Sequence, residues 1–166
     1  MLIWVGSMLA VALRLLCDSQ MARSDQKYIL LAEDNDDDAF LFKRALRKAD
    51  LKNPVFVAFN AQTVFDYLLG YGEFADRYAY PFPSILILDF HLPDLNASEV
   101  LRWVNARPEL QSLLCVILTG DLRPSILPEC QAIGIDAFLQ KPCNREDLVK
   151  LADAFPQHWR SAAASG

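Results

Sequence analysis

Five short, largely apolar runs recur along this chain, each closed by a polar or acidic residue and most followed by a stretch with helical spacing. The first is Tyr28-Ile29-Leu30-Leu31-Ala32, which ends in Glu33 and Asp34. The second opens after Pro54 and covers Val55 to Phe59. The third is Ser84 to Asp89, in which Ile85-Leu86-Ile87-Leu88 precedes the acid. The fourth is Leu113 to Thr119, and the fifth is Ile135 to Gln140, followed by Lys141. Strands that are apolar throughout, rather than alternating, belong to parallel sheets covered on both faces.

The intervening segments supply the cover. Residues 36 to 49 place Phe40, Leu41, Ala45, Leu46 and Ala49 on one face, with Lys43, Arg44, Arg47 and Lys48 on the polar side. A second helix is expected over Ala61 to Leu69, stopped by Gly70. The third starts near Asn96, where Glu99 completes a capping-box pattern, and Pro108 closes it. The fourth is short, from near Leu127 to Gly134, because Pro124 and Pro128 fit only a first turn. The fifth runs from an N-cap at Asn144 to near Phe155. This alternation implies an α/β fold, a doubly wound five-stranded parallel sheet with five helices. Ligands bind such sheets beyond the carboxyl ends of the strands.

The residues at those ends are Glu33, Asp34, Asp89, Thr119 and Lys141. Carboxylates gathered there repel one another, and a divalent cation relieves the repulsion. Mg2+ takes hard oxygen ligands and keeps positions open for phosphate oxygens. An ionised aspartate can act as a nucleophile and form an aspartyl phosphate. Lys141 and Thr119 then supply a cation and a hydroxyl donor for the developing charge. Asp89 is the strongest of these candidates, since a carboxylate closing an aliphatic strand is costly unless something uses it. Asp36, Asp37 and Asp38 read instead as a solvated acidic turn that suits a helix N-terminus.

The chain has 166 residues and a formal net charge of -5. One domain of ordinary size fits that length, and an acidic balance argues against direct binding to DNA. The four cysteines, Cys17, Cys115, Cys130 and Cys143, form no CxxC pair, and His91 and His158 do not flank them at zinc spacing. They read as reduced thiols in the cytoplasm. Residues 1–17 are apolar but interrupted by Arg14, and they are shorter than the roughly 20 residues of a typical span. The reading adopted is that Met21 is the natural start and that residues 1–20 are an over-extended reading frame. A membrane-associating helix and a signal are the alternatives. Domain bounds follow as an N-terminal extension at 1–26, a folded domain at 27–155 and a small-residue tail at 156–166.

Four motifs carry a family resemblance: LLAEDN at 30–35, ILILDFHLPD at 85–94, VILTG at 116–120 and AFLQKP at 137–142. Together they resemble the receiver domain of two-component response regulators. The resemblance implies a flavodoxin-like fold with strand order 2-1-3-4-5. It implies that Asp89 accepts a phosphoryl group from a sensor histidine kinase or a histidine phosphotransfer protein. Asp34, Asp89 and the backbone carbonyl of His91 would ligate Mg2+, with Glu33 placing metal-bound water. Lys141 would pair with phosphoryl oxygens, Thr119 would move to bond one of them, and Phe138 would be the aromatic switch residue. The protein would be no enzyme toward other molecules, catalysing only its own phosphorylation and dephosphorylation. Its output would be contact with an unknown downstream protein, or a place as a phosphorelay intermediate. A homodimer through the fourth and fifth helices is left open.

Three departures bear on output rather than chemistry. Asn96-Ala97 stands where the family has a glycine in second place, and alanine tolerates positive φ poorly, so a rearranged loop is expected. The fourth helix carries two prolines. Phe138 lacks the hydroxyl of a tyrosine. The long segment from Tyr71 to Pro83, with Pro108-Glu109-Leu110, looks like the stand-alone regulators that partner phytochrome-type kinases. Its aromatic residues either cover a sheet edge or form a partner surface. Two other functions are compatible with parts of this pattern. A phosphorylation-independent receiver-like binding module is the alternative, and an aspartate-nucleophile phosphatase is disfavoured because His91 stands where its second aspartate belongs.

Overall fold

The computed structural model describes residues 27–121 and 123–160. The expectations for residues 1–20 and for the last part of the tail lie outside the described residues. Five strands form one parallel sheet in the order β2-β1-β3-β4-β5. They are β1 (Ile29–Ala32), β2 (Val55–Ala58), β3 (Ile85–Leu88), β4 (Leu114–Thr119) and β5 (Ala137–Gln140). The order is the expected 2-1-3-4-5. Five helices alternate with them: α1 (Asp36–Lys48), α2 (Ala61–Leu69), α3 (Ala97–Asn105), α4 (Ile126–Ile133) and α5 (Arg145–Ala154).

The central strands are apolar up to the terminal Thr119 of β4 because both faces are covered. Ile29, Leu31, Ile85, Ile87, Val116 and Leu118 point to one side, with Phe42 and Leu46 of α1 and Leu148 and Leu151 of α5. Leu30, Leu86, Leu88 and Ile117 point to the other, with Val64 and Tyr67 of α2, Leu101 of α3 and Ile126 of α4. Alternate residues of one strand therefore feed two separate cores.

The helix ends follow local chemistry. Asn35 caps α1 by accepting from the N–H groups of Asp37 and Asp38. The Asn96–Glu99 capping box forms as expected. No rearrangement is needed at Ala97, which is the first residue of α3, while Asn96 has φ -87°. α4 accommodates Pro128 in its first turn and ends at Gly134, whose φ of 100° is left-handed.

One face assignment is corrected. α1 buries Ala39, Phe42, Ala45 and Leu46, while Phe40 and Leu41 are exposed. Ala45 and Leu46 are buried as expected, but Ala39 and Phe42, not Phe40 and Leu41, complete the stripe that faces the sheet.

The segment after α2 divides its aromatic residues between two roles. Phe74 and Tyr80 pack on Tyr67, with ring centroids at 5.2 and 6.1 Å, whereas Tyr71, Tyr78 and Phe82 are exposed. Arg77 holds the segment in place by donating to the Tyr67 and Leu68 carbonyls at 2.7 Å each. It thereby satisfies the free end of α2. Gly70 ends that helix at φ 71°, and a Cβ there would meet the Arg77 guanidinium at 2.9 Å.

The supposed tail is partly structural. Trp159 is buried in the core beneath α1 and α5. The Asn53 amide donates to the Lys27 and His158 carbonyls at 2.9 and 3.1 Å and accepts from the Arg160 N–H at 2.9 Å.

Candidate functional site: an acidic cluster around Lys141

The carboxyl ends of β1, β3, β4 and β5 meet at one edge. The Glu33 N–H donates to the Ala58 carbonyl and the Asp89 N–H to the Ala32 carbonyl, both at 2.9 Å, so each acid continues its strand into the sheet edge. The Lys141 N–H donates to the Thr119 carbonyl at 2.9 Å and fixes the fourth end to the fifth. Glu33, Asp34 and Asp89 can place one carboxylate oxygen each within 4.8 Å of one another. Glu33 is 1% exposed.

Lys141 is the positive centre of this group. Its Nζ lies 2.6 Å from Glu33 Oε2, 2.8 Å from Asp89 Oδ2 and 2.9 Å from Asp38 Oδ2. Burial works against the ammonium charge, but the hydrogen bonds to Asp89, Glu33 and Asp38 outweigh it and push its pKa above the ordinary lysine range. Burial pushes the Glu33 carboxyl up, although its contact with Lys141 pulls the other way.

The expected residues therefore converge, with differences. Thr119 is buried and its hydroxyl accepts from the Asp121 N–H at 3.1 Å. His91 reaches Asp89 through its N–H, at 3.3 Å from Asp89 Oδ1, while its ring turns to Asp121 Oδ2 at 2.7 Å. Arg123 pairs with the same oxygen at 2.7 Å. Arg123 and His91 together hold the Asp121 carboxyl well below the usual carboxylate range. Phe138 is half-buried and packs against the core beneath α2, α3 and α4. Asp38 corrects the reading of Asp36 to Asp38 as a solvated turn: Asp36 and Asp37 are exposed, but Asp38 binds Lys141. The available signal was its place in the first turn of a helix that opens directly from the acidic strand end.

The donor set fits Mg2+. Its groups are hard oxygens, and among the described residues Lys141 is the one cation in contact with three carboxylates. A nearly buried aspartate beside an ammonium and a set of hard donors can accept and stabilise a phosphoryl group. Among the described residues no helix is long and apolar enough to cross a membrane.

The family model for the response regulator receiver domain matches residues 29–153. A two-component response regulator of Arabidopsis thaliana is 29% identical over 137 residues, covering 81% of this chain and 87% of its own. The structure of the bacteriophytochrome response regulator AtBRR aligns with a TM-score of 0.70 at 31% identity, covering 81% of this chain and 96% of that one. A response regulator in red light signaling of R. palustris aligns with a TM-score of 0.69 at 27% identity, covering 80% and 93%. A five-stranded parallel sheet in 2-1-3-4-5 order, acids closing β1 and β3 and a lysine closing β5 are all present in a chain whose sequence matches that model, and the chain belongs to the response regulator receiver domain family.

Proposed function

We propose that this receiver domain takes a phosphoryl group onto Asp89 from a phosphohistidine on a histidine kinase or histidine phosphotransfer protein. The observation that carries the reading is the Lys141 ammonium, 2.8 Å from Asp89 Oδ2 and bound also to Glu33. In the reaction an Asp89 oxygen bonds to phosphorus and the P–N bond of the phosphohistidine breaks. The imidazole leaves neutral, one ring nitrogen carrying a proton taken up from solvent.

Lys141 holds Asp89 in place and offers charge to the phosphoryl oxygens. Thr119 would move to donate its hydroxyl hydrogen to one of them, while its oxygen accepts from the Asp121 N–H in the present arrangement. Asp34, Asp89 and the His91 carbonyl would hold Mg2+, with Glu33 placing its water. When bound, the ion supplies charge to phosphoryl oxygens and lowers the repulsion among the acids. A phytochrome-type kinase is the proposed donor, on the likeness to the bacteriophytochrome regulator AtBRR. Output through protein contact follows, and Phe138 within β5 is the proposed switch residue. Under this reading the domain catalyses only its own phosphorylation and the hydrolysis of the resulting acyl phosphate.

The test is intact-protein mass after incubation with acetyl phosphate or phosphoramidate, with and without Mg2+, for the wild type and Asp89→Asn. One phosphoryl adduct that needs Mg2+ and vanishes in the variant is expected. No adduct on folded wild type would overturn the reading in favour of a phosphorylation-independent binding module.

A further inference from the structure

An ammonium has three hydrogens to donate, and three carboxylate oxygens already surround Lys141 Nζ at 2.6, 2.8 and 2.9 Å. None is left for a fourth acceptor. A phosphoryl oxygen that reaches Lys141 must therefore displace one of them.

The three carboxylates differ in their freedom to move. Glu33 is 1% exposed and its other oxygen accepts from the Asn35 N–H at 3.2 Å. Asp89 is the nucleophile and has to stay. Asp38 is different: its side chain is 37% exposed, and among the described residues its carboxylate has no hydrogen-bond partner other than Lys141. A partly exposed ion pair of this kind is weak, and water is at hand to take over its solvation.

We propose that Asp38 is a displaceable counter-ion for Lys141. It holds the ammonium beside Asp89 before a donor binds, and it yields its place to a phosphoryl oxygen when one arrives. The inference rests on the phosphotransfer reading above. Asp38 is a positioning residue: it touches neither phosphorus nor the attacking oxygen, and it acts through Lys141. Its negative charge stands where the phosphoryl group has to bring its own, so it competes with the donor for one cation. With phosphoramidate the bond changes are those of any donor. An Asp89 oxygen bonds to phosphorus, the P–N bond breaks, and ammonia leaves with the protons its nitrogen already carries.

The experiment measures initial rates of Asp89 phosphorylation against phosphoramidate concentration, at Mg2+ levels saturating for each variant. Wild type, Asp38→Asn and Asp38→Glu are compared. Asp38→Asn keeps the shape and the Asn35 cap but removes the competing charge. Its half-saturating phosphoramidate concentration is expected to fall about fivefold, the effect of one like charge a few ångströms away in a wet site, with the limiting rate changed by less than about twofold. Asp38→Glu restores the charge and should return half-saturation to the wild-type value.

An unchanged half-saturation in Asp38→Asn overturns the proposal. So does a lower limiting rate at constant half-saturation, since that would make Asp38 a fixed support for Lys141. If wild type forms no adduct, the phosphotransfer reading fails and this inference with it. If wild type is phosphorylated and Asp38→Asn behaves identically, the role of Asp38 alone fails.

Discussion

Ser98 and Glu129 are joined by a 2.6 Å hydrogen bond in which a wholly buried hydroxyl on α3 donates to a carboxylate on α4. α3 follows the loop that carries Asp89, and α4 follows β4, which ends at Thr119. The bond therefore ties together the two helices that leave the site from adjacent strands. A hydrogen bond to a charged acceptor contributes about 1.5 kcal/mol. Ser98→Ala should lower the urea midpoint by the corresponding amount without changing the slope. Amide exchange in α4 should speed up more than exchange in α1. An unaltered midpoint would show that Glu129 gains as much from water as from Ser98.

Asp94 makes a second tie across the site's rim. Its two carboxylate oxygens accept from the Ala61 and Gln62 N–H groups at 2.8 and 2.9 Å, capping α2 from the loop after β3. Partial burial pushes its carboxyl up, but these bonds and its bond from the Leu95 N–H outweigh that, so its pKa is lowered. A lowered acid stabilises the fold above its ordinary pKa and loses that contribution as pH falls through the folded value. Asp94→Ala should cost about 1 kcal/mol at neutral pH, as lost caps do. The difference from wild type should shrink below about pH 4. Denaturation midpoints measured from pH 7 to pH 3 check both parts.

How much of this was legible in the chain depends on how local each feature is. The strands were readable because each is a largely apolar run too short for a helix, and Asp89 because it closes an aliphatic one. Lys141 and Thr119 were found by position at strand ends, not by any property of their own. Asp38 was missed because an aspartate in a helix's first turn already has a sufficient local reason to be there. Only the arrival of Lys141 from 103 residues away gives it another. Phe40 and Leu41 were assigned to the core because helical spacing defines a stripe but not which edge of it meets the sheet. Trp159 lies next to a run of small residues, and nothing nearby in sequence shows that the chain turns back under β1 and β3.

Divalent cation should act on stability as well as on phosphorylation. At about 100 times its dissociation constant a ligand that binds only the folded state adds about 2.7 kcal/mol. MgCl2 should raise the thermal midpoint of the wild type relative to NaCl at equal ionic strength. Asp34→Asn removes an exposed carboxylate of the cluster and should abolish most of the shift. Equal midpoints for wild type in the two salts would contradict the proposed site.

Trp159 separates shape from polarity. The side chain is 8% exposed, and its indole Nε1 has no hydrogen-bond partner among the described residues. Trp159→Ala should cost about 3 kcal/mol, the usual range for emptying an aromatic site in a core. Trp159→Phe should stay within about 1 kcal/mol of wild type, because it deletes an N–H that gains no bond there. Chemical denaturation of the two variants distinguishes them, and equal losses would show that the indole finds a partner in solution.

The amide of Asn53 grips the backbone at Lys27 and at His158 with one nitrogen. The two ends of the described fold are thus neighbours, on the side of the sheet away from Asp89. A short linker could join them without crossing the phosphoacceptor face. New termini opened in the Tyr71–Pro83 segment would then give a permuted protein with the same sheet and the same acidic cluster. In that molecule β1 and β2 would follow β5 in the chain, so the order in which the strands are made could be changed while the site stays as it is.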